Sequence, residues 1–254
     1  MSQSDVEVAR RALACLDLTD LTDNCTPAAI DALCARATGP HGRVAAICIY
    51  PRFVKQAAPR LAGSGVKIAT VVNFPGGAEP LDAVLAETRQ ALADGADEVD
   101  LVMPYRVLMG GDKQSPRAMI AAVAELTKAG GSLKVIIETG ALAEPSLIEE
   151  ASALAIEAGA DFIKTSTGKI AISATPQAAE IMIGVIKASD RPVGFKAAGG
   201  VRTIADARVY FDIADRLMGP AWAKPETFRF GASGLLDALL ATIEGRAASV
   251  KAGY

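Results

Sequence analysis

Histidine is almost missing from this sequence: His41 is the only one in 254 residues. A metal-dependent aldolase draws several ligands from histidine, and a nucleophilic triad needs one beside its nucleophile. His41 stands in Gly39-Pro40-His41-Gly42, just ahead of an apolar run, and reads as a turn residue on the amino-terminal side of a strand. The sequence thus argues against both chemistries, and no metal or other cofactor is expected. Cysteine is sparse as well. Cys15, Cys25, Cys34 and Cys48 show no C-x-x-C spacing and are expected to be reduced thiols of a cytoplasmic protein. Long apolar runs are lacking, the longest, such as Val44-Ala45-Ala46-Ile47-Cys48-Ile49, being strand-sized and far short of the ~18 residues of a membrane span. The start, Met1-Ser2-Gln3-Ser4-Asp5-Val6-Glu7, is polar and acidic, unlike a secretory signal. Neither charge sign dominates. A net charge of -3 with scattered signs gives no electrostatic reason to expect nucleic acid or a membrane surface as partner. No G-x-G-x-x-G follows a strand, and Gly63-Ser64-Gly65 precedes one, so the dinucleotide fingerprint of an open doubly wound sheet is missing.

What is present is mostly aliphatic. Hydrophobic residues make up 51% and aromatics only 5%, a mix that suits strands buried on both faces. Strand-like runs occur at Leu16–Thr19, Val44–Tyr50, Lys67–Phe74, Glu98–Pro104, Leu133–Thr139, Phe162–Thr167, Val193–Ala198 and Arg229–Ser233. Between them lie helical patterns: Pro80 opens Leu81–Leu92, Pro145 opens Ser146–Ala158, Pro176 opens Gln177–Lys187, and Thr203 precedes Ile204–Ala214. Eight such units predict one α/β domain over residues 1–254, a TIM (β/α)8 barrel, with a flexible tail over ~246–254. The sequence leaves the oligomeric state open, a homodimer among the options.

A barrel strand turns one face to the helices, which must be apolar, and the other to the axis. Parity separates the two. Val99, Leu101 and Met103 flank Asp100, and Leu133, Val135 and Ile137 alternate with Lys134 and Glu138. Ile163 precedes Lys164, and Val193 and Phe195 alternate with Lys196. Asp100, Lys134, Glu138, Lys164 and Lys196 are therefore expected inside the barrel. Buried lysine is rare unless paired, and Lys134 is expected to pair with a carboxylate. Two lysines on adjacent strands, roughly 5 Å apart, go beyond what structural pairing requires.

A free lysine, with a pKa near 10.4, is neutral only about one part in a thousand at pH 7.4. A nucleophilic amine needs that changed by about 4 kcal/mol. Burial and a nearby cation both favour the neutral form. The roles that follow are Lys164 as nucleophile, Lys196 as the cation that favours its neutral form, and Asp100 as proton relay. Three glycine-bearing segments follow the last three strands: Thr167-Gly168-Lys169, Gly199-Gly200-Val201-Arg202 and Gly231-Ala232-Ser233-Gly234. Loops of this kind feeding helix amino termini are the common phosphate site of the fold. Gly168, Lys169, Gly199, Gly200, Val201, Arg202, Gly231, Ser233 and Gly234 are accordingly expected to hold a phosphosugar. Cys48 reads as a small core residue near the site, and Trp222 as a loop-packing one.

At these residues the sequence resembles the deoxyribose-phosphate aldolase family, over nearly the whole chain. The resemblance rests on Leu16-Asp17-Leu18-Thr19, the run Ala46 to Phe53, Asn73-Phe74-Pro75, Gly95 to Asp100, Lys134 to Gly140, Ala160 to Gly168, Gly194 to Arg202 and Phe230 to Ser233. It implies reversible cleavage of 2-deoxy-D-ribose 5-phosphate to D-glyceraldehyde 3-phosphate and acetaldehyde in deoxynucleoside catabolism, without a cofactor. It places the Schiff-base lysine at Lys164, the second lysine at Lys196 and the relay aspartate at Asp100. It further implies that Asp17 lies near the substrate hydroxyls and that the terminal Tyr254 reaches the site to assist proton transfer. Ala197 stands where some relatives carry proline, and Gly234 where some carry a second serine, which removes a hydroxyl donor to phosphate. Two other readings remain on the residues alone: a phosphosugar isomerase or synthase with Glu138 or Asp100 as base, and a catalytically silent phosphosugar binder.

Overall fold

The strand-like runs become strands because their β-branched and small apolar residues are covered on both faces. The computed structural model describes residues 4–246. Among these, eight parallel strands close into a barrel: β1 (Leu16–Asp20), β2 (Ala46–Ile49), β3 (Lys67–Val72), β4 (Glu98–Val102), β5 (Ser132–Ile136), β6 (Phe162–Lys164), β7 (Gly194–Ala198) and β8 (Phe228–Ala232). Each pairs with its successor, and β8 returns to β1 with Phe230 opposite Leu16. The fold is a TIM barrel.

Helices lie outside, held at their starts by local chemistry. Thr26, Thr175 and Thr203 each accept a backbone N–H from the first turn of Pro27–Arg36, Pro176–Ala188 and Ile204–Met218. Asp206 completes the capping box with Thr203. The four helices marked in the sequence end within a few residues of expectation. Asp5–Ala14, Pro27–Arg36, Val54–Leu61, Gln114–Thr127 and Leu235–Ile243 add to them. Phe211, Phe228 and Phe230 pack with centroids 5.0 to 5.2 Å apart between β8 and the helices, and Trp222 meets Phe228 edge-on. His41 sits in the turn of a small hairpin between Thr38–Gly39 and Gly42–Arg43, with Nε2 2.9 Å from Glu244.

Six strands stop before their apolar or polar runs do, β8 by one residue at Ala232. β3 ends at Val72, where Asn73 adopts φ 56°, and β5 ends at Ile136, where Glu138 also adopts φ 56°. The expectation that Glu138 continues the inward face of β5 is therefore corrected: it begins the short helix Thr139–Leu142. β6 ends at Lys164 rather than Thr167. The chain leaves the sheet there because Thr165 Oγ1 supplies a substitute ladder, donating to the Ala198 carbonyl and accepting the Ala198 N–H. β2 and β4 likewise end at Ile49 and Val102.

The lower barrel is plugged. Phe162 points inward, and its ring fills the volume that a side chain at Gly194 would need, a Cβ there falling 2.3 Å from the ring. The Arg229 guanidinium lies 5.5 Å over the same ring. The tail from residue 247 onward, including Tyr254, lies outside the described residues.

Candidate active site

Strand register decides which charges meet. β6 and β7 place Lys164 beside Lys196, and β4 and β5 place Asp100 beside Lys134. Side chains of the same parity then project to the axis, where Asp100 becomes the hub. Its Oδ2 accepts from both Lys164 Nζ and Lys196 Nζ, each at 2.8 Å. The two lysine nitrogens are thus no more than twice that distance apart, bridged by one oxygen. Asp100 Oδ1 takes Lys134 Nζ at 2.9 Å. Lys196 has a second anion, Asp17 Oδ2, at 2.5 Å.

The energetics follow from burial. Asp17, Asp100, Lys134 and Lys196 are all 0% exposed, so each charge persists only through its partners. Burial alone would raise the Asp100 carboxyl, but Lys134, Lys164 and Lys196 together hold it well below the usual carboxylate range. Burial would lower Lys196, yet Asp100 and Asp17 hold it above the ordinary lysine value, so it is a fixed ammonium. The Cys48 thiol, 4.0 Å from Asp100 Oδ2, is pushed up by burial and stays neutral at ordinary pH.

Above this cluster opens a cleft of about 660 Å³, measured with its mouth. Lys164 lines it, together with Gly168, Lys169, Gly199, Gly200, Val201, Arg202, Gly231, Ser233 and Gly234. Lys164 is 3% exposed and joins the charged interior to the open rim. Positive φ at Gly168 (79°), Gly199 (82°) and Gly200 (84°) shapes the rim, and a side chain at Gly199 would strike Ser173. Asp206 already accepts the N–H groups of Arg202 and Thr203, so an anion here is left with the backbone of the glycine stretch before them and the Leu235–Ile243 amino terminus. Lys169 Nζ reaches across the mouth to Asp23 at 2.9 Å.

Gly231 has a second use. A Cβ there would sit 3.0 Å from Lys196 Cε and 3.1 Å from Ala198 Cβ. Gly231→Ala should therefore tilt Lys196 off its two carboxylates and lower kcat about tenfold, with a smaller change in KM. Steady-state kinetics check this, and an unchanged kcat would show that Lys196 has slack.

Asp17, which the resemblance sets near the substrate hydroxyls, lies beneath the cleft with Oδ1 on Arg229 and Oδ2 on Lys196, and Thr19, two residues on, lines the cleft. Glu138 accepts from Thr167 N–H and, at 2.5 Å, from Thr167 Oγ1, and so braces the loop that begins at Thr167. Glu98 and Arg229 were not anticipated. Both obey the parity that placed their neighbours, Glu98 two residues before Asp100 and Arg229 between Phe228 and Phe230. Among the described residues, no three His, Cys, Asp or Glu side chains are placed to hold a metal ion.

A family model described as DeoC/LacD family aldolase matches residues 11–238. The chain belongs to this aldolase family. A deoxyribose-phosphate aldolase from Agrobacterium fabrum is 51% identical to it over 250 residues, 98% of this chain and 96% of that one. A solved structure from Coccidioides immitis, described as a candidate deoxyribose-phosphate aldolase, superposes with a TM-score of 0.82 at 31% identity, covering 92% of this chain and 86% of that one. The tetrameric deoxyribose phosphate aldolase from Aeropyrum pernix gives 0.76 at 25%, covering 94% and 92%. The chain is thus an aldolase, a carbon–carbon lyase, and no helix among its described residues is long and apolar enough to cross a membrane.

Proposed function

We infer that this aldolase cleaves 2-deoxy-D-ribose 5-phosphate to D-glyceraldehyde 3-phosphate and acetaldehyde, reversibly, through an imine on Lys164. The observation that carries the reading is one carboxylate oxygen, Asp100 Oδ2, shared by a cleft-lining lysine and a wholly buried one.

The neutral amine of Lys164 attacks the aldehyde carbon of the open-chain sugar, giving a carbinolamine. Loss of water gives the iminium, which serves as electron sink. The C3 hydroxyl then loses its proton, the C2–C3 bond breaks, and its electrons form the enamine as glyceraldehyde 3-phosphate departs. The enamine carbon takes a proton, and water releases acetaldehyde and the amine. Lys196, the fixed ammonium, is the proton store. Asp100 is the conduit: anionic at rest, it holds a proton only in passing between the two nitrogens. Arg202 and Lys169 supply charge to the phosphate at the rim. The four cysteines are free thiols, as suits a reducing cytoplasm.

Borohydride added with acetaldehyde tests this reading. An ethyl group should appear on Lys164 by peptide mass spectrometry, whereas an isomerase or a silent binder would gain none there. Arg202→Ala should raise KM for the phosphorylated sugar about 10-fold or more with little change in kcat, as expected for one charge-assisted contact. Equal loss with unphosphorylated 2-deoxy-D-ribose would count against a phosphate contact.

A further inference from the structure

Among the described residues, seven ionisable side chains form one buried contact network beneath the cleft, and the steps above use only some of them. Arg229 donates to Asp17 Oδ1 at 2.6 Å and to Glu98 at 2.8 and 3.1 Å. Glu98 Oε2 also accepts from Lys134 Nζ at 2.5 Å. Each carboxylate at the reacting centre is thereby pinned twice: Asp17 between Arg229 and Lys196, Asp100 between Lys134 and the two other lysines. Neither Glu98 nor Arg229 pairs with Lys164, and neither lines the cleft.

The charges do not balance when all are ionised. Lys134, Lys164, Lys196 and Arg229 oppose Asp17, Glu98 and Asp100, leaving one cation in excess. All seven are at most 6% exposed, so the excess is felt throughout the network. Three cations are each held by at least two carboxylates: Arg229 by Asp17 and Glu98, Lys196 by Asp17 and Asp100, and Lys134 by Glu98 and Asp100 with Asp17 at 4.0 Å. Lys164 has one oxygen of Asp100, shared with Lys196. A guanidinium does not give up its proton in a protein. The nitrogen left to give one up is that of Lys164.

We propose that Glu98 and Arg229 are positioning residues that set the proton occupancy of Lys164 at a distance, by fixing the charge balance of the buried network. Three carboxylates face three cations that each have two or more of them as partners, and the fourth nitrogen, Lys164, has one. The groups facing Lys164 are Asp100 from β4, Lys196 from β7, Glu138 after β5 and Cys48 from β2. Cys48 stays a thiol, and Glu138 is hydrogen-bonded to Thr167, outside the network. The inference rests on the imine reading above.

The test removes each charge in turn and measures ethyl-adduct formation at Lys164 with acetaldehyde and cyanoborohydride as a function of pH, on the full chain. Glu98→Gln deletes an anion, so the midpoint should move down by about one pH unit. Arg229→Gln deletes a cation, so it should move up by a similar amount. The shift is that of one unit charge over roughly 10 Å at an effective dielectric of about 20. The double variant restores the balance and should return close to the parent midpoint. A purely structural role would slow both single variants without moving the midpoint. Shifts of equal sign, no shift, or a displaced double variant would overturn the proposal. If Arg229→Gln does not fold, Lys134→Met, which also deletes a cation, takes its place; if Glu98→Gln does not fold, Asp17→Asn, which also deletes an anion, takes its place, each under the same sign rule. No adduct on the parent chain at any pH would sink the imine reading, and this proposal with it.

Discussion

Lys164→Met should lower kcat for retro-aldol cleavage by about 10⁴-fold or more while leaving the barrel as stable as before, to within about 1 kcal/mol. The catalytic loss follows from chemistry that no neighbour can take over. Lys196 is equally close to Asp100 but is 0% exposed and bound by two carboxylates, so it is neither neutral nor within reach of a sugar in the cleft. The stability expectation follows from the contacts. Asp100 loses one of three lysine partners and keeps Lys134 and Lys196, so no buried carboxylate is stranded. Thermal unfolding should therefore shift by only about 2–4 °C. Turnover within tenfold of the parent would end the imine assignment, and a collapse in stability would show that Lys164 holds the network together.

Lys196→Met should give the reverse combination: kcat down about 10³-fold and stability down by about 3–5 kcal/mol. Here the two carboxylates share the lost cation, and both sit in a water-free interior. The damage should depend on pH, with a sign the network fixes. Against the opposing effect of burial, Lys196 is the leading cation that keeps Asp17 low, and it is one of three that keep Asp100 low. A carboxyl depressed in the folded state stabilises above its unfolded pKa, near 4, and that stabilisation is lost as pH falls towards the folded value. The gap in melting temperature between parent and variant should thus be full at neutral pH and narrow below about pH 4. A gap that widens in acid would mean that something other than these carboxylates depends on Lys196.

The interior was legible where polarity alternates with aliphatics. Val99-Asp100-Leu101, Ile163-Lys164 and Gly194-Phe195-Lys196 each announce an inward charge, because the helix-facing positions tolerate only apolar side chains. Glu98 and Arg229 carry the same signal, yet each stands at a strand start, a position that usually meets solvent. What conceals them is that the seven side chains pair across the barrel axis, a property of six strands together. Strand ends were less legible for a different reason. Thr165, Ser166 and Thr167 are as buried as the strand before them, but the Thr165 side chain bonds to Ala198 and that of Thr167 to Glu138, and neither hydropathy nor propensity marks the change. The turn at Glu138 depends on φ 56°, a left-handed conformation a glutamate does not advertise. Asp17 lay where its strand required, and its partners Arg229 and Lys196 come from two other strands, which its own sequence neighbourhood does not show.

The ring of Phe162 seated in the space left open by Gly194 also dictates traffic. With that end stopped, both fragments of the proposed cleavage would leave by the entrance, and a triose phosphate held among the glycines at the threshold would stand between a lysine-bound two-carbon piece and solvent. Departure would then be sequential, the larger fragment first. Free acetaldehyde would meet the enzyme form that greets new sugar and, at high concentration, park the catalyst as a two-carbon adduct on the lysine.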